Sequence, residues 1–475
     1  MLAKERERER ETETYGMARS LLLSMCRRQR PRRVLSSSSS WPTWSGSTLS
    51  STSVTKNHCH HGGVIHPNAE VTFYSTTSLS SLPEKTSSIN HQSSKIHYDL
   101  NGPDCNVPPH IAAKVFDSHS SSKKLYKVSP HPLYIIKQKI EDYFLSIDPE
   151  FKIEDSLSPI VSTEANFDSL LIPQDHVSRS RSDTYYLTYD RCLRTHTSAH
   201  QAELLQQGLT KFLCTGDVYR RDDIDKSHYP IFHQMEGVKV FHNNDNLNSP
   251  SNVVSTEEVL EDLKSTLEGL ANHLFGPVEC RWVEEYFPFT DPSLELEIYY
   301  QDDWLEVLGC GVVQPKIIEN CGRFSNDNEN LPAPKAWAFG LGLERLAMVL
   351  FDIPDIRLFW STDERFWKQF EEGKITTFKP YSKYPPCLKD VSFWILSPED
   401  YHVNELLDLT RQVAGDLVET VSLVDDFVHP KTNQTSHCYR ITYRSMDRSL
   451  TNAEIDKLQE ELRSRIQESL PVELR

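Results

Sequence analysis

Three short segments of this chain gather residue types that can handle a phosphate, an amine or a ring. The first is Thr195-His196-Thr197-Ser198-Ala199-His200-Gln201. On a helix its two histidines would share a face and could hold zinc. A helical zinc peptidase needs glutamate directly after the first histidine, but Thr197 stands there and no third ligand is close. Polar lining for a small-molecule pocket is the better use of these side chains. The second segment is Gly216-Asp217-Val218-Tyr219-Arg220-Arg221-Asp222, followed by His228-Tyr229-Pro230-Ile231-Phe232-His233-Gln234-Met235-Glu236-Gly237. Here Arg220 ends a strand, a polar loop follows, and a returning strand carries Phe232, Gln234 and Glu236 on one face. Such a hairpin can aim an arginine at a phosphate, an aromatic at a base and a carboxylate at an amine. A surface hairpin with a solvated charge run would share the pattern. The third segment, Ala338-Phe339-Gly340-Leu341-Gly342-Leu343-Glu344-Arg345, places Arg345 at the start of an apolar helix. Its glycines allow close backbone approach to a ligand, although a glycine kink before a core helix would look alike.

The elements that must carry these segments are mixed. The stretch from Pro132 to Phe144 is predicted to be an amphipathic helix, with Leu133, Ile136, Ile140 and Phe144 at helical spacing. Leu294, Leu296, Ile298 and Tyr300 alternate with Glu295, Glu297 and Tyr299, the period of a half-buried antiparallel strand. Phe212 to Tyr219 and Val238 to Phe241 are further strands, and Leu343 to Phe351 is a helix. Without a βαβ rhythm or a G-x-x-x-x-G-K-[ST] loop, a doubly wound nucleotide fold and a P-loop are both disfavoured. After the joint Pro380-Tyr381-Ser382-Lys383-Tyr384-Pro385-Pro386 a second pattern begins. It runs strand (Asp390 to Leu396), helix (Val403 to Ala414), strands (Leu417 to Phe427, Ser436 to Tyr443), helix (Asn452 to Ser469) and a short strand to Arg475. Thr451 caps the second helix, with Glu454 three residues on. This βαββαβ order is that of a ferredoxin-like sandwich.

The 475 residues allow two or three domains, and no run of 18 apolar residues is present to span a bilayer. The ten cysteines form no C-x-x-C pair, which fits a reducing compartment. A net charge of −17 argues against indiscriminate nucleic-acid coating, yet leaves room for a local basic groove. From Met17 to Ala69 there is no acidic residue, while Arg19, Arg27, Arg28, Arg30, Arg32 and Arg33 punctuate a Ser-rich run. That is the composition of a mitochondrial or plastid transit peptide. The alternation Glu5-Arg6-Glu7-Arg8-Glu9-Arg10 does not belong in one, which favours Met17 over Met1 as the start. His58-Cys59-His60-His61 lies in this low-complexity leader, where nothing rigid would fix a metal.

Taken together, the segments H-T-S-A-H-Q, G-D-V-Y-R-R-D, H-Y-P-I-F-H-Q-M-E-G, F-P-F-T-D-P-S and G-L-G-L-E-R-L-A-M resemble the phenylalanyl-tRNA synthetases. The hairpin and the G-L-G-L-E-R turn resemble motifs 2 and 3 of class II aminoacyl-tRNA synthetases. The tail is similar to that family's ferredoxin-fold anticodon-binding domain, fused here as in the mitochondrial form. The resemblance covers Asn106 to Arg475. It implies an α+β architecture, with a class II antiparallel sheet flanked by helices in 106–370, a linker at 371–383 and the tail domain at 384–475. A transit peptide and disordered leader occupy 1–94.

The resemblance further implies an enzyme of the mitochondrial matrix that takes ATP, Mg2+, phenylalanine and tRNA(Phe), acting as a monomer. Arg220 would bind the α-phosphate and His228 the pyrophosphate part. Phe232 and Arg345 would sandwich adenine near Gly342, and Glu306 would hold magnesium. Gln234 and Glu236 would take the amino acid's ammonium, with His196, Ser198, His200 and Gln201 on its polar end. Its ring would lie against Phe287 and Phe289, over Gly309, Gly311, Ala338 and Gly340. Pro159 matches the motif 1 proline. In the tail, acidic residues outnumber basic ones 16 to 12 from Thr376 onward, so tRNA contact needs a local patch. Arg440, Arg444 and Arg448, interleaved with Tyr439 and Tyr443, are that patch. The Asn326–Pro334 loop has no assigned role. Two rivals are an adenylate-forming ligase that charges no tRNA and a non-catalytic RNA-binding descendant. The fused tail speaks against the first, and the presence of Arg220, Glu236 and Arg345 against the second.

Overall fold

The computed structural model describes residues 99–100, 102–116, 124–242, 253–322, 333–381 and 384–475, and the backbone of 73–74 and 95–96. The expected leader, its start and its His58–His61 cluster lie outside these residues, except that Phe73–Tyr74 pairs antiparallel with Lys95–Ile96. Most of the Asn326–Pro334 loop also lies outside them.

Helix α1 (Pro132–Ile147) starts where Pro132 supplies a helical φ at the first turn and the His131 ring accepts the Leu133 N–H at 3.2 Å. Leu133, Ile136, Ile140 and Phe144 are all fully buried, as their spacing predicts. Helix α2 (Thr256–Phe275), unassigned from sequence, begins with a complete capping box, Ser255 with Glu258. It buries Val259, Leu263, Leu267, Leu270 and Leu274. Helix α3 (Leu343–Phe351) follows the glycine turn directly.

These helices cover one face of a seven-stranded sheet. Its strands are β1 (Lys152–Glu154), β2 (Lys211–Tyr219), β3 (Ile231–Phe241), β4 (Glu279–Glu285), β5 (Thr290–Tyr300), β6 (Asp303–Val313) and β7 (Lys335–Gly342), in the order β1-β2-β3-β7-β6-β5-β4. All neighbours are antiparallel except β1 and β2. Because side chains alternate, Met235, Phe339, Leu341 and Cys310 point to the helix side and join its core, where the Phe144 and Phe339 rings stack at 5.4 Å. The opposite face carries Glu236, Gly340, Gly309 and Glu295, which are cross-strand partners in a single row. That row is the floor of the site.

In the tail, β8 (Cys387–Ile395), α4 (Val403–Ala414), β9 (Val418–Val428), β10 (Thr435–Tyr443), α5 (Asn452–Ser469) and β11 (Val472–Leu474) alternate as the sequence predicts. The four strands form one antiparallel sheet in the order β9-β10-β8-β11. Val391, Phe393, Ile441 and Tyr443 face Leu406, Leu407, Ile455, Leu462 and Ile466 of the two helices in a separate core.

Candidate active site

Strands β2 and β3 form the expected hairpin, with Gly216 opposite Gln234 and Cys214 opposite Glu236. Arg220 leaves the end of β2 and its Nε donates to the Thr195 carbonyl at 2.8 Å, so the guanidinium is oriented by the His196 segment. Its carbon sits 5.2 Å from the centre of the Phe232 ring. Burial lowers the pKa of Arg220, Asp222 opposes that shift and Arg345 adds to it, so both arginines act on one field. Behind the sheet, buried Glu344 accepts the His233 N–H at 2.8 Å and meets His233 Nδ1 at 2.6 Å. This pair fastens the hairpin to the helix that bears Arg345. Neither residue was singled out from sequence.

The amine end is built around Glu236, which is 2% exposed. Gln201 donates to its Oε1 at 2.8 Å, while Oε2 is buried without a hydrogen-bond partner. Burial pushes this carboxyl up to about 7, against the pull of Ser198, Gln201 and Thr197. His196, in the same segment as Ser198 and Gln201, has both ring nitrogens buried and unpartnered. Burial, reinforced by the Arg220 charge, depresses His196 to about 3 and keeps its imidazole neutral. An unanswered carboxylate oxygen is an acceptor that suits an ammonium group.

The ring end is a slot of aromatic side chains. Phe287 and Phe289 lie nearly parallel, 5.9 Å apart, and Phe289 is 6.5 Å from His196. The glycines have distinct tasks. A Cβ on Gly340 would meet open space, so the sheet face is unobstructed there. A Cβ on Gly309 would stand 2.9 Å from the Phe287 ring, so that glycine makes room for the Phe287 side chain. At Gly311 it would meet Pro292 O at 2.4 Å and Thr290 Cβ at 2.7 Å, so its small size serves the chain's own packing. Ala338 pairs with Val238 and Gly311 and is 6% exposed, in the cluster that Phe289 packs against.

His200 needs correction. Its Nε2 receives Arg194 Nη1 at 2.9 Å and its Nδ1 lies 3.4 Å from Glu203, so neither nitrogen is left for an amino acid. It does not share a helical face with His196, which is extended and precedes the 3-10 turn Thr197–His200. Among the described residues no group of three or more His, Cys, Asp or Glu could hold a metal ion. Arg194, fully buried, also donates to the Asp217 carbonyl at 2.7 Å and to Oδ1 at 3.0 Å, and so ties the His196 segment to β2.

At the other end of the row Arg345 Nη1 meets Glu306 Oε1 at 2.7 Å, on the exposed side of β6. Glu295, a polar position of the alternating strand, is half-buried, and its carboxyl is pushed up to about 7 by burial first and then by Glu306, Glu285 and Glu297. Two interacting carboxylates with hard oxygen donors fit magnesium.

In the tail, Arg440 is held by both oxygens of Asp390 at 2.8 Å, and Arg444 pairs with Glu419 at 3.1 Å. Arg448 pairs with Glu454. Tyr443 is fully buried and bonds Gln459, and Tyr439 is 5% exposed, so neither offers a face for stacking. Strand parity explains it: the tyrosines share the inward face with Ile441. The outward face carries Trp394 instead, with Phe427 at 6.1 Å, His429 at 6.0 Å and the Arg475 guanidinium 5.0 Å over its ring.

The family signature "tRNA synthetases class II core domain (F)" matches residues 115–370, and "Ferredoxin-fold anticodon binding domain" matches 382–475. The chain is 55% identical to "Phenylalanine--tRNA ligase, chloroplastic/mitochondrial" of Arabidopsis thaliana over 78% of its length and 83% of that protein. The chain belongs to the phenylalanine–tRNA ligase family. A ligase of Dictyostelium discoideum with the mitochondrial name is 48% identical over 82% of this chain and 93% of its own. That of Mus musculus is 47% identical over 74% and 83%. This ligase has the mixed helices and sheets of the class II core, joined to a ferredoxin-like tail. None of its described helices is long and apolar enough to cross a membrane.

Proposed function

We propose that the chain activates phenylalanine with ATP and transfers it to tRNA(Phe) in the mitochondrial matrix, as a monomer. The observation that carries this reading is the unpaired Oε2 of buried Glu236, set on the same sheet face as Gly340 and Ala338 and close to the Phe287–Phe289 slot. It is a site for an amine with a benzyl side chain. In the first step the amino acid carboxylate attacks the α-phosphorus in line and the bond to pyrophosphate breaks. Arg220 receives the charge that builds on the phosphoryl oxygens, and His228 receives the departing pyrophosphate. Adenine lies on Phe232, with Arg345 across from it. Glu306 and Glu295 would hold magnesium, which when bound would neutralise triphosphate charge. In the second step a terminal ribose hydroxyl of the tRNA attacks the acyl carbon and AMP leaves. Positioning and fixed charge do this chemistry, and no protein nucleophile is required. Phenylalanine-dependent ATP–pyrophosphate exchange followed by charging of tRNA(Phe) tests it; exchange without charging supports an adenylate-forming ligase, and neither activity a non-catalytic descendant.

Two further outcomes are expected. Ala338→Gly should raise exchange with para-substituted phenylalanines by about tenfold, the scale of one methyl group in an apolar pocket. An unchanged preference removes Ala338 from the pocket floor. For tRNA, Trp394→Ala should lower charging at limiting tRNA by about tenfold or more, the loss of one base-stacking partner. Exchange, which needs no tRNA, should stay at the wild-type rate.

A further inference from the structure

The loop from Arg220 to Pro230 contains no helix or strand, so its backbone groups must find partners elsewhere. It finds them in the tail. Carbonyls of four consecutive residues accept from tail donors: Arg221 from Asn404 Nδ2 at 3.4 Å, Asp222 and Asp223 from the two Nη groups of Arg411 at 2.8 and 2.5 Å, and Ile224 from the Val421 N–H at 3.0 Å. Arg221 Nε also donates to Asp408 Oδ2 at 2.7 Å. The Ile224 side chain is 5% exposed and belongs to the tail's core beside Leu407 and Val418.

The next residue turns this anchorage toward the site. One oxygen of Asp225 accepts the N–H groups of Ser227 and His228 at 2.7 and 2.9 Å, and the other meets His228 Nδ1 at 2.7 Å. Burial alone would lower the pKa of His228, but Asp225, Asp222 and Asp223 outweigh it and raise it, which favours a cation for a phosphate. A cavity of about 110 Å³ beside the turn, bounded by Lys114, Asp225, His228 and Arg411, gives an unanchored turn room to shift.

We propose that Ile224, Asp225 and Arg411 are positioning residues for ATP, through which the tail holds Arg220 and His228 in register on the triphosphate. The step that involves no tRNA thus depends on the domain that reads tRNA. This rests on the reading of Arg220 and His228 as phosphate ligands.

The test is ATP–pyrophosphate exchange by the full chain, with ATP and phenylalanine varied separately. Arg411→Ala, Ile224→Ala and Asp225→Asn should each raise KM for ATP about tenfold or more, because a misplaced ligand is lost from the bound geometry. KM for phenylalanine should stay within about twofold, since Glu236 and the aromatic slot are untouched. Ile224→Val, which still fills the tail core, should restore most of the ATP affinity. Glu460→Ala, on the exposed side of α5, should match the wild type. An unchanged KM for ATP in the first three variants overturns the proposal. So does an equal rise in KM for both substrates with a lowered thermal midpoint, which marks general loosening. Arg220→Ala separates the two claims: if it leaves exchange intact, the phosphate-ligand reading itself fails.

Discussion

Arg220→Ala should lower phenylalanine-dependent exchange by about a thousandfold, the effect of deleting one preorganised donor to transition-state charge. The arginine arrives at the site already aimed, with Nε on the Thr195 carbonyl and its guanidinium carbon 5.2 Å from the Phe232 ring centre. Little reorganisation is then needed when charge builds on the α-phosphate. Arg220→Lys should recover only a small part of the rate, because an ammonium keeps the charge but loses the fork of donors. The fold should survive the alanine change, since a desolvated cation–π contact contributes only about 2 kcal/mol. A variant that keeps exchange within about tenfold of wild type would place the triphosphate elsewhere.

The second large effect belongs to Glu236. With the carboxyl at about 7 in the free enzyme, it is mostly protonated in mildly acid solution and cannot pair with an ammonium group. The kcat/KM for phenylalanine should therefore climb about tenfold per pH unit below 7 and level off above it. Glu236→Gln should flatten that limb and lower the plateau by on the order of 100-fold. Stability moves the other way. A carboxyl whose pKa is raised by folding loses stability as pH rises from the ordinary glutamate value of about 4.3 to about 7. Glu236→Gln should therefore melt above the wild type at pH 8, with the gap narrowing toward pH 5. A pH profile of kcat/KM that Glu236→Gln leaves sloping would assign the titration to another group.

What could be read from the chain beforehand follows from how local each signal is. Helices α3, α4 and α5 fall at their expected bounds, because apolar spacing and an N-cap such as Thr451 are properties of a few neighbouring residues. The hairpin that carries Arg220, Phe232, Gln234 and Glu236 is local in the same way. Helix α2 carried an equally local sign in Ser255 and Glu258, and it went unassigned. The corrections involve partners that an apolar spacing or a cap does not reveal. His200 is claimed by Arg194, which a histidine spacing cannot reveal. Glu295 owes its raised pKa first to burial and then to Glu306 on the next strand and Glu285 on the previous one. The tail arginines meet Asp390, Glu419 and Glu454, and Tyr443 turns inward because register decides which half of an alternating strand is core.

Position 216 has a consequence for the lineage as much as for the molecule. A methyl group there would sit 2.0 Å from the Arg194 Nη2 atom, inside a guanidinium that is fully enclosed and already bonded to Asp217 and His200. Neither side can yield alone, so the two sites should evolve as a couple. Relatives that carry alanine at the first should have surrendered the arginine at the second, together with its histidine companion.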